Sequence, residues 1–200
     1  MRKRPRPRSV TAAVTTDPTR LPPDLPVPVD DGAADHLEGL PVPDVALQST
    51  TGGALRLRGA GPRLVLYVYP RTGGAGIDLP NDWDLIPGAR GCTPQACAFR
   101  DHHAELAGLG ATVLGVSAQP IGEQIEFAAR MHIPFPLLND SELRLSEPPF
   151  ALPTFTAAGM TLYKRITLIA DDDVVEHVFY PVFPPDENAE QVIAYLTASG

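Results

Sequence analysis

Cysteine is nearly absent, with two residues in 200, too few for a disulfide scaffold in a chain of this length. No apolar run approaches the ~20 residues that a membrane-spanning helix needs. The opening stretch MRKRPRPRSVTAAVTTDPTRLPPDLPVPVDD starts basic but has no apolar segment behind its arginines, which argues against an export signal. Its prolines also deny it the amphipathic helix of an organelle-targeting peptide. Basic charge is sparse elsewhere: five of the sixteen Lys and Arg fall within residues 2–8, while the formal net charge is −8. The body of the chain is therefore acidic, which disfavours nucleic acid and anionic membranes as partners. No internal repeat is present. These absences together predict a cytoplasmic protein whose two thiols stay reduced.

What is present reads as one domain with a substantial core. Residues 1–35 are rich in Pro and Asp without periodicity and are expected to form a disordered or loosely draped basic tail. Residues 36–200 then form a single domain. Within it, LPVPDVALQSTTGGALRLRG predicts an entry hairpin, and RLVLYVYP (63–70) a buried central strand ended by Pro70. A Gly- and Pro-rich loop, 71–91, follows. Loops longer than about 12–15 residues are uncommon in compact domains and tend to be functional.

The loop ends at GCTPQACAFRDHH (91–103), which holds both cysteines. Thr93 as N-cap and Pro94 at the first helical position predict a helix running to the glycines at 108 and 110, with Ala96, Phe99, His103, Leu106 and Leu109 near one face. Further on come a buried strand at 111–118, a helix at 122–132 with Ile125, Ala128 and Ala129 inward, and a short strand and short helix over 135–147. A hairpin at 162–181 and a closing amphipathic helix complete the chain. This order of elements predicts an α/β fold, with a central mixed β-sheet and helices on both faces.

Five residues along a helix rise about 7.5 Å and turn the side chains about 140° apart, so the Cα atoms of Cys92 and Cys97 lie roughly 8.6 Å from each other. A disulfide tolerates about 7 Å. The pair can therefore bond only if the first turn of the helix unwinds, as in a switch between two backbone states. Cys92, at the helix start, is favoured as an anion by unpaired amides and the macrodipole, and neighbouring arginines would add to this. Cys97, deeper in the helix, gets little of that help. A zinc site drawn from Cys92, Cys97, His102 and His103 is disfavoured because these side chains point to several sides of one helix. The C-x-x-C motif of dithiol exchange is missing.

The stretch GCTPQACAFRDHHAELAGLGATVLGVSAQ resembles the reactive-cysteine helix and following strand of Q-type peroxiredoxins, the bacterioferritin-comigratory-protein group. IPFPLLND, YKRITLIADDDVVEHVF and LVLYVYP resemble further blocks in the same order, over about residues 40–197. The resemblance implies a thioredoxin-like fold and a thiol peroxidase. In it, Cys92 would be the peroxidatic cysteine, Cys97 the resolving one, and Arg165 the group that pairs with the thiolate and orients the peroxide. Pro70 would shield the pocket. The substrate would be hydrogen peroxide or an organic hydroperoxide, and the reductant thioredoxin or a glutaredoxin-like dithiol protein. Neither metal, flavin nor haem is implied, and the chain would be a monomer or weak homodimer.

Two departures stand out. The family has threonine and proline before Gly-Cys, where this chain has Ala89-Arg90, and its loop 71–91 is longer than usual. Thr72 or Arg90 would have to replace the threonine. The alternative reading is a non-enzymatic redox sensor switched by the same disulfide, with FYPVFPP (179–185) as an apolar docking surface.

Overall fold

The densest apolar run sets the architecture. RLVLYV forms β3 (Arg63–Val68), buried after its first residue on both faces. The computed structural model describes residues 19–74, 79–80 and 82–199. The arginines of the basic tail, at positions 2–8, lie outside the described residues. Before β3, β1 (Ala46–Ser49) and β2 (Ala54–Arg56) make the expected hairpin through Gly52 and Gly53. After it come β4 (Ala111–Ser117), β5 (Leu137–Asn139), β6 (Thr154–Ala157), β7 (Met160–Tyr163), β8 (Ile166–Asp171) and β9 (Val174–Phe179). Seven of them form one mixed sheet in the order β2-β1-β5-β4-β3-β8-β9. β4 runs parallel to both β3 and β5, and β8 pairs antiparallel with β3.

The helices are α1 (Cys92–Asp101), α2 (His103–Gly108), α3 (Ile121–Met131) and α4 (Asn188–Ser199). The steps β3 to β4 and β4 to β5 cross the sheet in the same direction, so right-handed connections put α1, α2 and α3 on one face. There they pack with α4 on Val65 and Tyr67 of β3 through Phe99, Leu106, Phe127, Met131, Val192 and Leu196. Leu64, Leu66 and Val68 point to the opposite face. That face was also expected to carry a helix. Among the described residues its helical cover is a single 3-10 turn, Arg144–Ser146, beside irregular chain that contributes Leu37, Leu57, Phe150 and Leu152. Pro148, Pro149 and Pro153 keep that stretch from winding further. No helix among the described residues is long and apolar enough to cross a membrane.

Four local expectations are corrected. α1 begins at Cys92 with Gly91 as N-cap, so Pro94 is the third helical residue, still within the turn whose amides lack helical partners. The predicted single helix breaks at His102, which leaves helical geometry between α1 and α2. On α3, Ile125 is exposed and so is Ala129, while Gln124, Phe127 and Met131 face inward. Gln124 is satisfied there: its amide donates to the carbonyl of Gln119 (2.8 Å) and its oxygen accepts from the Tyr69 hydroxyl (3.3 Å). Finally, the predicted 162–181 hairpin divides. β7 pairs with β6 in a separate two-stranded sheet, and only β8 and β9 turn about Asp172 and Asp173.

Residues 19–35 carry no helix or strand, yet they touch the domain. Asp31 accepts from Lys164 and from the Tyr180 hydroxyl (2.7 Å), and these bonds hold its carboxyl down at about 2. Ala34 is buried in the core.

Candidate active site

The site is built around the residue that starts α1. Gly91 has φ +105°, and a Cβ on it would come within 2.3 Å of Pro185 and 2.9 Å of Leu21. Only glycine fits such a crowded left-handed turn. The turn delivers Cys92 to the first position of the helix, where it is 3% exposed, and the Gly91 carbonyl accepts the first helical bond from Gln95 (3.0 Å).

Arg165 reaches the same sulfur from across the domain. It stands on the two-residue step between β7 and β8, just after the amide of Lys164 makes a last bond to the carbonyl of Pro153 (2.8 Å) in the β6–β7 register. Its Nη2 lies 3.2 Å from Cys92 Sγ and also donates to the carbonyls of Ala89 (3.2 Å) and Arg90 (3.1 Å). Its Nη1 donates to Gln95 Oε1. The residue is 3% exposed, and among the described residues its Nε has no partner and none of the groups bonded to it is a carboxylate. A buried cation requires an anion or a dense set of acceptors. Among the described residues, the ionisable group bonded to it is the thiol of Cys92.

Gln95 was not singled out from the sequence. Fully buried, it passes the arrangement on: its Nε2 donates to Asn188 Oδ1 (3.0 Å), which also accepts from Thr167 Oγ1 (2.7 Å). The N-terminus of α4 and strand β8 thus fix the carbonyl side of Gln95 toward Arg165. Cys97 sits in the following turns of α1, 6% exposed, where burial pushes its thiol up, opposed by nearby Arg100. Both cysteines are free thiols on an intact helix, as the spacing argument requires of the reduced state.

Of the two candidates for the missing threonine, Thr72 is committed elsewhere. Its hydroxyl and its amide both donate to Gln119 Oε1, each at 3.0 Å. Arg90 instead lines a cleft of about 300 Å³ that opens on Cys92, together with Trp83, Pro94, Arg71 and Arg130. Pro70 is buried, and its carbonyl accepts from Ser117 (2.9 Å). The histidines diverge: His102 faces Glu105 (3.1 Å), whereas the ring of His103 lies 5.6 Å from that of Phe135. A second cavity of about 360 Å³ lies on the far side of Arg165, lined by Val27, Val29, Phe155, Tyr180 and Val182.

A sulfur at a helix start, facing a buried guanidinium beneath a cleft, is a setting suited to thiol chemistry. The chain belongs to the redoxin family, whose pattern matches residues 37–193. Within that family it is a peroxiredoxin. It is 34% identical over 110 residues to peroxiredoxin Bcp of Bacillus subtilis, a match covering 54% of this chain. The chain spans only 60% of the length of that relative. A putative peroxiredoxin of Mycobacterium tuberculosis is 30% identical over 161 residues, covering 78% of this chain and 94% of its own. The crystal structure of peroxidoxin BcpB from Mycobacterium tuberculosis has a TM-score of 0.64 at 29% identity, over 80% of this chain and 96% of that one. The mixed sheet is accordingly the thioredoxin-like one.

Proposed function

We propose that the chain is a thiol peroxidase acting on hydrogen peroxide and organic hydroperoxides, with Cys92 as the peroxidatic cysteine. The observation that carries this reading is the 3.2 Å approach of Arg165 Nη2 to Cys92 Sγ in a buried setting where, among the described residues, no carboxylate is bonded to the guanidinium. The ionised sulfur attacks one peroxide oxygen, the O–O bond breaks, and water or an alcohol leaves after taking up a proton. Cys92 is left as a sulfenic acid. Arg165 faces both the sulfur and the charge that develops on the departing oxygen. Cys97 then displaces the hydroxyl from the sulfenic sulfur, releasing water and forming the Cys92–Cys97 disulfide. A dithiol protein of the thioredoxin or glutaredoxin kind, in the cytoplasm, returns both thiols. The match over 37–193 supports a domain of about 36–200 with a tail before it.

The test is steady-state consumption of peroxide with thioredoxin and its reductase. We expect many equivalents per chain; about one equivalent would mark a sensor instead. The stretch that a sensor would use for docking is engaged within the chain: Tyr180 bonds Asp31, Val182 is buried, and Pro185 packs against Gly91.

Resolution needs movement on two counts. The pair is too distant in an intact helix, and burial pushes the Cys97 thiol up, away from the nucleophilic thiolate. Unwinding the first turn corrects both, at the expense of several backbone hydrogen bonds worth a net ~0.5–1.5 kcal/mol each. Amide hydrogen exchange over residues 92–98 should therefore be much faster in the disulfide form than in the reduced form, with β4 unchanged. Equal protection in both forms, with the disulfide confirmed by mass, would remove the unwinding step.

A further inference from the structure

The cleft over Cys92 is walled by three arginines from three separate elements. Arg71 follows the end of β3, Arg90 lies two residues before Cys92, and Arg130 is in the last turn of α3. The remaining walls are Gly73, Gly74, Leu79, Trp83, Gly91, Thr93 and Pro94, with no acidic side chain among the described lining residues. In a chain of formal charge −8, such a concentration of guanidinium groups runs against the overall field. Each arginine is paired: Arg71 with Glu123 (2.8 Å), Arg90 with Asp84 (3.3 Å) and Arg130 with Glu126 (2.8 Å). All three carboxylates lie outside the lining, so an arriving anion meets the positive end of each pair first.

Among the three, Arg90 is the freest to exchange partners. Arg71 is held by its short pair with Glu123, and Arg130 also donates to the carbonyl of Gly73 (2.9 Å). Among the described residues, Arg90 is paired only through the longer contact, to an Asp84 carboxylate that is half exposed. Exposed pairs of that kind contribute little and are readily replaced. A guanidinium fork also matches a carboxylate in two parallel hydrogen bonds. Beside it, Leu79, Trp83 and Pro94 offer apolar surface for a hydrocarbon body.

We infer that the preferred substrate is an organic hydroperoxide bearing a carboxylate, with Arg90 as the chief specificity determinant and Arg71 and Arg130 supporting the field. This rests on the peroxidase reading and narrows it. The carboxylate binds unchanged at the arginines. Cys92 takes the terminal peroxide oxygen, the O–O bond breaks, and the corresponding hydroxy acid departs with the proton.

A matched pair of probes tests this: para-carboxycumene hydroperoxide and its methyl ester, with hydrogen peroxide alongside. At low ionic strength the second-order rate constant for the acid should exceed that for the ester by about fivefold or more, an advantage of the size that charge complementarity gives at a partly exposed site. The advantage should shrink as salt is raised to about 0.5 M, where the Debye length drops below ~5 Å. It should also shrink in Arg90→Gln. The salt series on the unaltered protein needs no variant to fold. Equal rates for acid and ester at every salt concentration, beside brisk turnover of hydrogen peroxide, would overturn the substrate class alone. Consumption of none of the three peroxides would overturn the peroxidase reading and this inference with it.

Discussion

With serine in place of Cys92, peroxide consumption should fall to the uncatalysed background. The substitution keeps the size and position of the side chain at the start of α1, and Arg165 Nη2 would still lie near the new oxygen, as it now lies 3.2 Å from the sulfur. A hydroxyl is not appreciably ionised in neutral water, however, and its oxygen is a poor nucleophile toward a peroxide. Cys97→Ser separates the two roles. That variant should consume about one equivalent of peroxide per chain at an undiminished first rate, then stall as a sulfenic acid that dimedone can trap or further peroxide can over-oxidise. Coupled oxidation of NADPH through thioredoxin reductase measures the loss of turnover, and mass spectrometry identifies the stalled species. Normal turnover of Cys97→Ser with thioredoxin would take the resolving role away from Cys97.

Replacing Arg165 with methionine should slow the reaction of Cys92 with peroxide by about 10²–10³-fold, the loss typical when a preorganised donor to developing charge is removed. Methionine keeps much of the apolar stem but none of the donors. It also releases the Ala89 and Arg90 carbonyls and the Gln95 oxygen that the guanidinium now holds. Part of the loss could then come from a loosened approach to α1. Arg165→Lys distinguishes the two effects: it restores the charge without the fork that gathers four acceptors. We expect lysine to recover only a minor part of the rate. Stopped-flow measurement under excess peroxide reads the step directly. A rate for Arg165→Met within a fewfold of the unaltered protein would leave Arg165 without an electrostatic role.

Elements with a dense apolar run or clear periodicity were legible in the sequence: β3, β4, the entry hairpin, α3 and α4. So was the significance of two cysteines five residues apart, because helix geometry alone forbids their bond. The resemblance supplied Arg165, whose position in the chain carries no pattern of its own. What stayed hidden was mostly buried polar chemistry. Gln95, Gln124, Asn188 and Thr167 occupy interior positions that a hydrophobic period assigns to apolar residues. That is why α3 was turned the wrong way and the support of Arg165 was missed. The arginine cleft was illegible for a different reason: residues 71, 90 and 130 belong to three elements, and only the fold brings them together. Of the three, only Arg90 stands out in the sequence, as a charged residue near the place of the absent threonine, while Thr72 is turned toward Gln119.

The separation of Cys92 from Arg165 by 73 residues has a bearing on how the protein is made. The cysteine leaves the ribosome well before its arginine, and the arginine reaches it only when β8 has docked against β3, a long-range pairing that local structure cannot anticipate. Until then the sulfur lacks its guanidinium partner. On the proposed peroxidase reading, peroxide reactivity should therefore be acquired late in folding, together with the completed sheet. The initial rate of sulfenic acid formation would then serve as a count of fully assembled molecules in a refolding mixture.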